Sequence, residues 1–198
     1  MALKFQYNKI ALQQLTKGLK IRVAALPTLR AKEAALRMEV KRLQVLTELA
    51  HAEKNKRIAE AKGLGVLWAE FNTDLIVIDR IERTSGKLAG VAFREFKEMV
   101  FKPLPKSLLD EPTWTAEGVG ILQGVLEARV RAEMLEKQTD LMEYERKRTT
   151  QKLNLFEKVQ IPEYEDGIRR IKRYLEDEQN LAMAGMKMLK KKKEMQVS

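Results

Sequence analysis

Four clusters in this 198-residue chain carry residue types that chemistry uses. Gly118-Val119-Gly120-Ile121-Leu122-Gln123-Gly124 is as glycine-rich as a dinucleotide loop, where small residues let the backbone approach a pyrophosphate. Its last glycine comes one residue late for G-x-G-x-x-G, and no strand-like run precedes it. It reads as the loose first turn of a helix. Gly63-Leu64-Gly65 lacks the Gly-Lys-Ser/Thr that completes a phosphate loop. Glu163, Glu165 and Asp166, like Glu176, Asp177 and Glu178, place carboxylates close together. Paired acids work as general acid and base only in a closed pocket. On long charged helices they read instead as a solvated face pairing with Lys and Arg.

The remaining reactive types are scarce. The chain has no cysteine and one histidine, His51. Disulfides, thiolate nucleophiles, cysteine–metal sites and multi-histidine metal sites are therefore excluded. His51 has no evident nucleophile beside it and reads as a surface residue. No catalytic residue, cofactor or metal is expected.

Charge gives the stronger signal. Lys and Arg number 38 against 28 Asp and Glu, a net charge of +10 that favours acidic partners of any kind. The charge is densest at Lys190, Lys191, Lys192 and Lys193, just after Met183, Met186, Met188 and Leu189. Such a basic run binds phosphates or acidic protein, or is a solvated, frayed end. The methionines offer an adaptable apolar surface. They either pack on the opposite arm or enter a partner's cavity, and the cavity is the sharper expectation.

These residues must be positioned by helices. From Leu12, steps alternating between three and four reach Leu15, Leu19, Arg22, Leu26, Leu29, Glu33, Leu36, Val40, Leu43, Thr47 and Ala50. Nine of these twelve positions are apolar, which is the seam of a helix packed along another. Pro27 interrupts the backbone but not the phase, so one bent helix is expected. Arg22 and Glu33 break the seam; they fix register, bind a third element, or let their stems snorkel past it. The helix should end near Asn72, beyond an apolar cluster of Leu64, Val66, Leu67, Trp68 and Phe71.

The period then changes. Leu75 to Ile81 is rich in β-branched residues, Thr84-Ser85-Gly86-Lys87 has turn chemistry, and Leu88 to Val91 and Phe93 to Phe101 are strand-like. A hairpin or three short strands is expected, leaning on the helices because a lone hairpin is marginal. Lys102 to Pro112, with Pro103, Pro105 and Pro112, reads as a loop. Helix resumes near Thr115. A second seam runs through Val125, Ala128, Ala132, Leu135, Thr139, Met142, Arg146, Thr149, Leu153 and Phe156. After Pro162 it continues one residue out of phase, as Tyr164, Ile168, Ile171 and Leu175, with the proline as the expected cause.

The expected fold is mainly α, a long antiparallel two-helix coiled coil made by the N- and C-terminal arms, with a small β-hairpin insert in the middle. The arms are residues 1–72 and 113–198, and the insert is 73–112. In an antiparallel pair with level ends, Pro27 should lie close to Pro162. The N-terminus lacks the apolar core of a signal peptide. No apolar run approaches the roughly 20 residues that span a bilayer.

One stretch adds a family likeness. Thr150, Leu153-Asn154, Phe156-Glu157 and Ile161-Pro162 resemble the C-terminal helix of the D subunits of V-type and A-type ATPases. Ile168, Ile171, Leu175, Glu176, Glu178 and the lysine-rich end fit that family. So do Asn8-Lys9, Leu12, Leu15, Leu19, Leu26-Pro27-Thr28-Leu29 and Lys32 in the first arm, and Leu88-Ala89-Gly90-Val91 in the hairpin. Single motifs are weak, but their order and spacing cover nearly the whole chain. Gln179-Asn180-Leu181 replaces an Arg-rich continuation found in many relatives, and this departure resembles a bacterial branch. The motif residues that carry the likeness are Pro27, Asn154, Glu157 and Pro162.

The resemblance implies a central-stalk rotor shaft, not itself catalytic, coupling ATP hydrolysis or synthesis to proton or sodium transport. It implies as partners the catalytic-head subunits A and B, the small F component of the stalk and a membrane-side collar subunit. It implies a position on the cytoplasmic side of the membrane, peripheral through the complex, without direct membrane insertion or nucleic acid. The rival readings are a basic helical hairpin that binds nucleic acid and a scaffold coiled coil. The first requires a continuous basic face, whereas Lys and Arg here alternate with acids. The second requires no β insert.

Overall fold

The computed structural model describes residues 5–103 and 112–197. Helix α1 spans Lys9–Lys62 and is followed by two short 3-10 turns, Gly65–Glu70 and Thr73–Leu75. Strands β1 (Ile78–Leu88) and β2 (Val91–Phe101) come next. Helix α2 (Thr115–Leu155), a π-helical turn (Phe156–Gln160) and helix α3 (Ile161–Val197) complete the chain. Pro105 of the expected loop lies outside the described residues. The chain divides into two compact units, Lys32–Arg148 and Met1–Ala31 with Thr149–Ser198. Each sets a stretch of α1 antiparallel to the returning helix.

All twelve positions of the first seam are buried or half-buried, as are all ten of the second and the four beyond Pro162. The helices therefore turn inward the stripe that the three–four spacing selects. In the Lys32–Arg148 unit, Leu36, Val40, Leu43 and Met142 form a cluster with Val91 of the hairpin, and Leu88, Ala89, Phe93 and Leu135 pack around it. A two-stranded sheet buries too little by itself, and here its inner residues Val91 and Met99 are buried. Across the same seam, the hydroxyls of Thr47 and Thr139 lie 3.0 Å apart. Each is also 2.8 Å from the carbonyl four residues earlier, of Leu43 or Leu135. Each hydroxyl has one proton, so only two of these three contacts are hydrogen bonds at any moment.

The hairpin turn differs from the sequence expectation. Strand β1 runs straight through Thr84–Lys87, and the turn falls at Ala89 and Gly90, where φ is 49° and 82°. Two successive left-handed residues make the type I′ geometry whose twist matches paired strands. Gly86 belongs instead to the sheet. It pairs with Phe93, whose ring comes within 2.5 Å of where a Cβ would stand on Gly86. The phenyl ring thus covers a glycine that cannot cover itself.

Helix α1 also ends earlier than expected, at Lys62. The amides of Gly63 and Leu64 bond back three residues, to Glu60 and Ala61, which tightens the last turn. Gly65 then takes a φ of 52°, a conformation suited to glycine after a helix. Of the expected apolar cluster, Trp68 and Phe71 pack, with ring centroids 5.6 and 5.8 Å from Trp114. Val66 is 88% exposed.

In the other unit, the phase slip has a visible cause. The Ile161 amide donates to the Phe156 carbonyl, five residues back, and this wider turn accommodates one extra residue. Pro162 follows at once. It has no N–H for the carbonyl of Lys158, and its ring crowds that carbonyl. The proline and the slip are thus linked, with the slip taken up just before the proline.

Side chains from α1 hold this turn. Arg22 Nε donates to Gln160 Oε1 at 2.6 Å, and its guanidinium lies 4.3 Å from the Tyr164 ring centre. Arg30 bonds Glu157 at 2.5 Å. Arg22 and Arg30 bracket Pro27, so Pro27 sits level with the π-turn and Pro162 lies just beyond it. Tyr164 packs on Gly18, and Leu15 and Phe5 pack on Gly167, where added Cβ atoms would come within 2.5 to 3.2 Å of them. Of the two seam-breaking residues, Arg22 thus fixes register. Glu33, 6% exposed, accepts from Arg37 Nη2 at 2.7 Å.

Two stability outcomes follow. Leu36→Ala or Met142→Ala, both at fully buried positions, should each cost about 2–5 kcal/mol in urea melts. Met38→Ala, at a 75% exposed position, should stay within about 0.5 kcal/mol. Equal losses at all three sites would contradict the seam. Arg22→Met should cost about 1–2 kcal/mol, and Arg22→Lys should recover little, because an ammonium cannot donate from Nε and stack on Tyr164 together. A fully stable Arg22→Lys variant would remove the register role.

Candidate interaction surfaces

The clusters with the most chemical promise are structural. Gly118, Gly120 and Gly124 lie within α2, and Gly118 is buried beneath Trp114 and Phe71. Asp166 pairs with Arg169 and Arg170, as expected of a solvated face. Among the described residues, no three His, Cys, Asp or Glu side chains could hold a metal ion. His51 Nδ1 lies 3.2 Å from Lys54 Nζ, the lysine acting as donor.

Charge pairing follows the helix surfaces. Arg146 donates twice to Glu143, both at 2.7 Å; these bonds hold the Glu143 carboxyl below its ordinary value and raise Arg146. Glu133 is lowered by a bond from Arg129, and Arg42 is raised by its bonds to Glu39. These are local pairs three or four residues apart, so part of the cationic surface is locally neutralised.

The residues expected to meet partners share one place. Helix α3 continues well past Tyr174, whose ring lies 5.1 Å from that of Tyr7, near the start of α1. From Glu176 to Lys193, and at Met195, every side chain is exposed. Leu181 and Met188 are each 75% exposed, Met186 67% and Leu189 69%. The opposite arm does not cover them. At 3.6 residues per turn, Met183 and Met186 lie about half a turn from Leu181 and Met188. Apolar groups therefore surround this helix instead of forming one stripe. Lys190 to Lys193 follow on all sides. Of the motif residues, Pro27 lies within α1, Asn154 is exposed near the end of α2, Glu157 is in the π-turn and Pro162 is the second residue of α3.

A second surface was not singled out from the sequence. Beside the hairpin, Arg83, Phe93, Arg94, Met134, Lys137, Gln138 and Leu141 line a groove of about 250 Å³. Gln138 is 4% exposed, and its Nε2 finds no acceptor among the described residues. An unmet buried donor costs about 1–3 kcal/mol. Arg80 and Lys97, on the same hairpin, are occupied differently: both donate to Glu82, at 3.1 and 2.8 Å, and lower its carboxyl while Lys97 is raised. The sequence signal for this surface is Met134 and Leu141, seven residues apart and one position off the α2 seam. Such a second apolar row needs a third element to cover it.

Comparison with known proteins matches this architecture to one family. The family model for the ATP synthase D subunit matches residues 11–191. The D subunit of the V-type ATP synthase of Borreliella burgdorferi is 31% identical over 190 residues, covering 94% of each chain. Its counterpart in Chlamydia muridarum, of the same name, is 31% identical over 172 residues, 84% of this chain and 85% of the relative. That of Chlamydia trachomatis serovar L2 is 29% identical over the same length, with the same coverage. Among the described residues no helix is long and apolar enough to cross a membrane. The chain belongs to the family of ATP synthase D subunits and is a stalk subunit of a V-type ATPase complex.

Proposed function

We propose that the chain is the rotating, non-catalytic shaft of that complex. Turning of the shaft links ATP hydrolysis or synthesis in the catalytic head to proton or sodium movement through the membrane sector. The observation that carries this reading is the bare end of α3, whose large apolar side chains point in all directions. A helix that is apolar on every side is ordinarily enclosed. A cavity formed by head subunits A and B would enclose it. Methionines suit such a bearing, because they repack against changing neighbours without one preferred fit.

The remaining partners take other surfaces. The small F component of the stalk would bind the side of the paired helices. A membrane-side collar would hold the end near Trp68, Phe71 and Trp114, where exposed Val66 offers apolar area. In this reading the chain lies at the cytoplasmic face, peripheral to the membrane through its complex. Coupling requires that shaft contacts differ between conformations of the head, since a partner shifts an equilibrium only through differential interaction. Met183, Met186, Met188, Leu189 and the lysines 190 to 193 supply those contacts in this reading.

The test is truncation after Leu181. The shortened chain should still fold, because the residues removed are exposed, but head assembly or coupled ion transport should fall severalfold. Unchanged coupling would refute the bearing. From native membranes, a tagged full-length chain should also recover ATP-hydrolysing head subunits and a small stalk protein. Recovery of the chain alone, from an extract whose ATPase is intact, would overturn the shaft reading.

A further inference from the structure

We propose that the groove walled by Arg83, Phe93, Arg94, Met134, Lys137 and Leu141 is a docking site for an acidic, partly apolar segment of a partner protein. The proposal rests on the chain being a subunit of a complex, and not on the shaft reading. Four observations converge on it. Arg83, Arg94 and Lys137 make no ion pair among the described residues, whereas two of the hairpin's other cations, Arg80 and Lys97, share Glu82. Among the described residues that line the groove, none is a carboxylate. Its floor is apolar, formed by Phe93, Met134 and Leu141. Gln138, 4% exposed, adds a buried amide donor with no acceptor among the described residues.

Together these features define the occupant. A carboxylate entering the groove would meet three cations, none of them held in an ion pair among the described residues. An adjacent apolar side chain would cover the Phe93 and Leu141 surfaces. Desolvation against that floor makes a charge-assisted bond stronger than one on an open helix. At about 250 Å³ the groove has room for one or two side chains but is smaller than the usual small-molecule pocket. Nucleic acid fits poorly, because the acids Glu133, Glu136 and Asp140 on α2 accompany Lys137 and would repel a continuous phosphate chain.

The experiment uses the full chain within its complex. A photo-cross-linking amino acid replaces Leu141, which lines the groove, and separately Met186, on the tip. The Leu141 probe should capture one protein segment containing Asp or Glu beside an apolar residue. Arg83→Glu with Arg94→Glu should lower that yield at least tenfold, and Arg83→Gln with Arg94→Gln should also lower it. Circular dichroism should show unchanged helix, since both arginines are exposed. Exchanging the captured acid for Lys should restore capture by the charge-reversed chain. Capture that ignores charge, capture of nucleic acid, or no capture from Leu141 while Met186 reacts would each overturn the groove proposal. Charge-dependent capture from Leu141 with none from Met186 would uphold the groove and count against the bearing instead.

Discussion

The narrow seam between α1 and the returning helix is the constraint on which this protein depends. Two helices can bury one stripe each, and a pair without a third layer has no deep interior. Stability therefore concentrates in a few side chains such as Leu36, Leu43, Met142 and Ile171, all essentially without solvent exposure. A slip of register would expose this whole set. The polar interruptions of the seam prevent it. Thr47 faces Thr139, and Arg22 reaches Gln160 and Tyr164. These groups find partners in one alignment only, so they specify register at positions where leucine would tolerate several.

The hairpin has a related dependence. Its buried residues complete the cluster around Leu36 and Met142, so sheet and helices share one core. The arrangement leaves the hairpin's other groups to the surface, and their charges are unevenly satisfied. Glu82 draws in Arg80 and Lys97, while Arg83 and Arg94 are left toward α2. Hairpin packing thus creates both the covered core and an uncovered basic groove.

Much of this was legible in the sequence because long helices state their packing repeatedly. Each seam position is confirmed by the next one three or four residues on, so the buried set could be read almost in full. The phase slip near Pro162 was legible for the same reason, as a break in a long count, although the π-turn that absorbs it was not. Single events were harder. Thr84-Ser85-Gly86-Lys87 has turn residues, yet the strand passes through it because Phe93 covers Gly86 and Ala89-Gly90 turns the chain. The end of α1 depended on one left-handed glycine, Gly65, against an apolar run that favoured continuation. At the tip, composition marked Met183 to Lys193 as an expected contact surface, and the structure leaves them exposed. Whether the opposite arm covers it depends on where the two helices align, which local pattern does not encode. The groove was hidden for a similar reason, since its lining comes from the hairpin and from α2, which lie far apart in the chain.

The π-turn also has a rotational meaning. One residue inserted into an α-helix turns everything beyond it by about 100° around the axis. Phe156–Gln160 therefore sets the azimuth of α3 as well as its packing. Because Arg22 and Arg30 clasp this turn from α1, the angle is fixed by the neighbouring helix and not left to an isolated stretch of backbone. The directions in which Leu181, Met186 and Met188 face are thus decided roughly twenty to thirty residues earlier, at a joint that never touches them. The chain carries its angular index within its own winding.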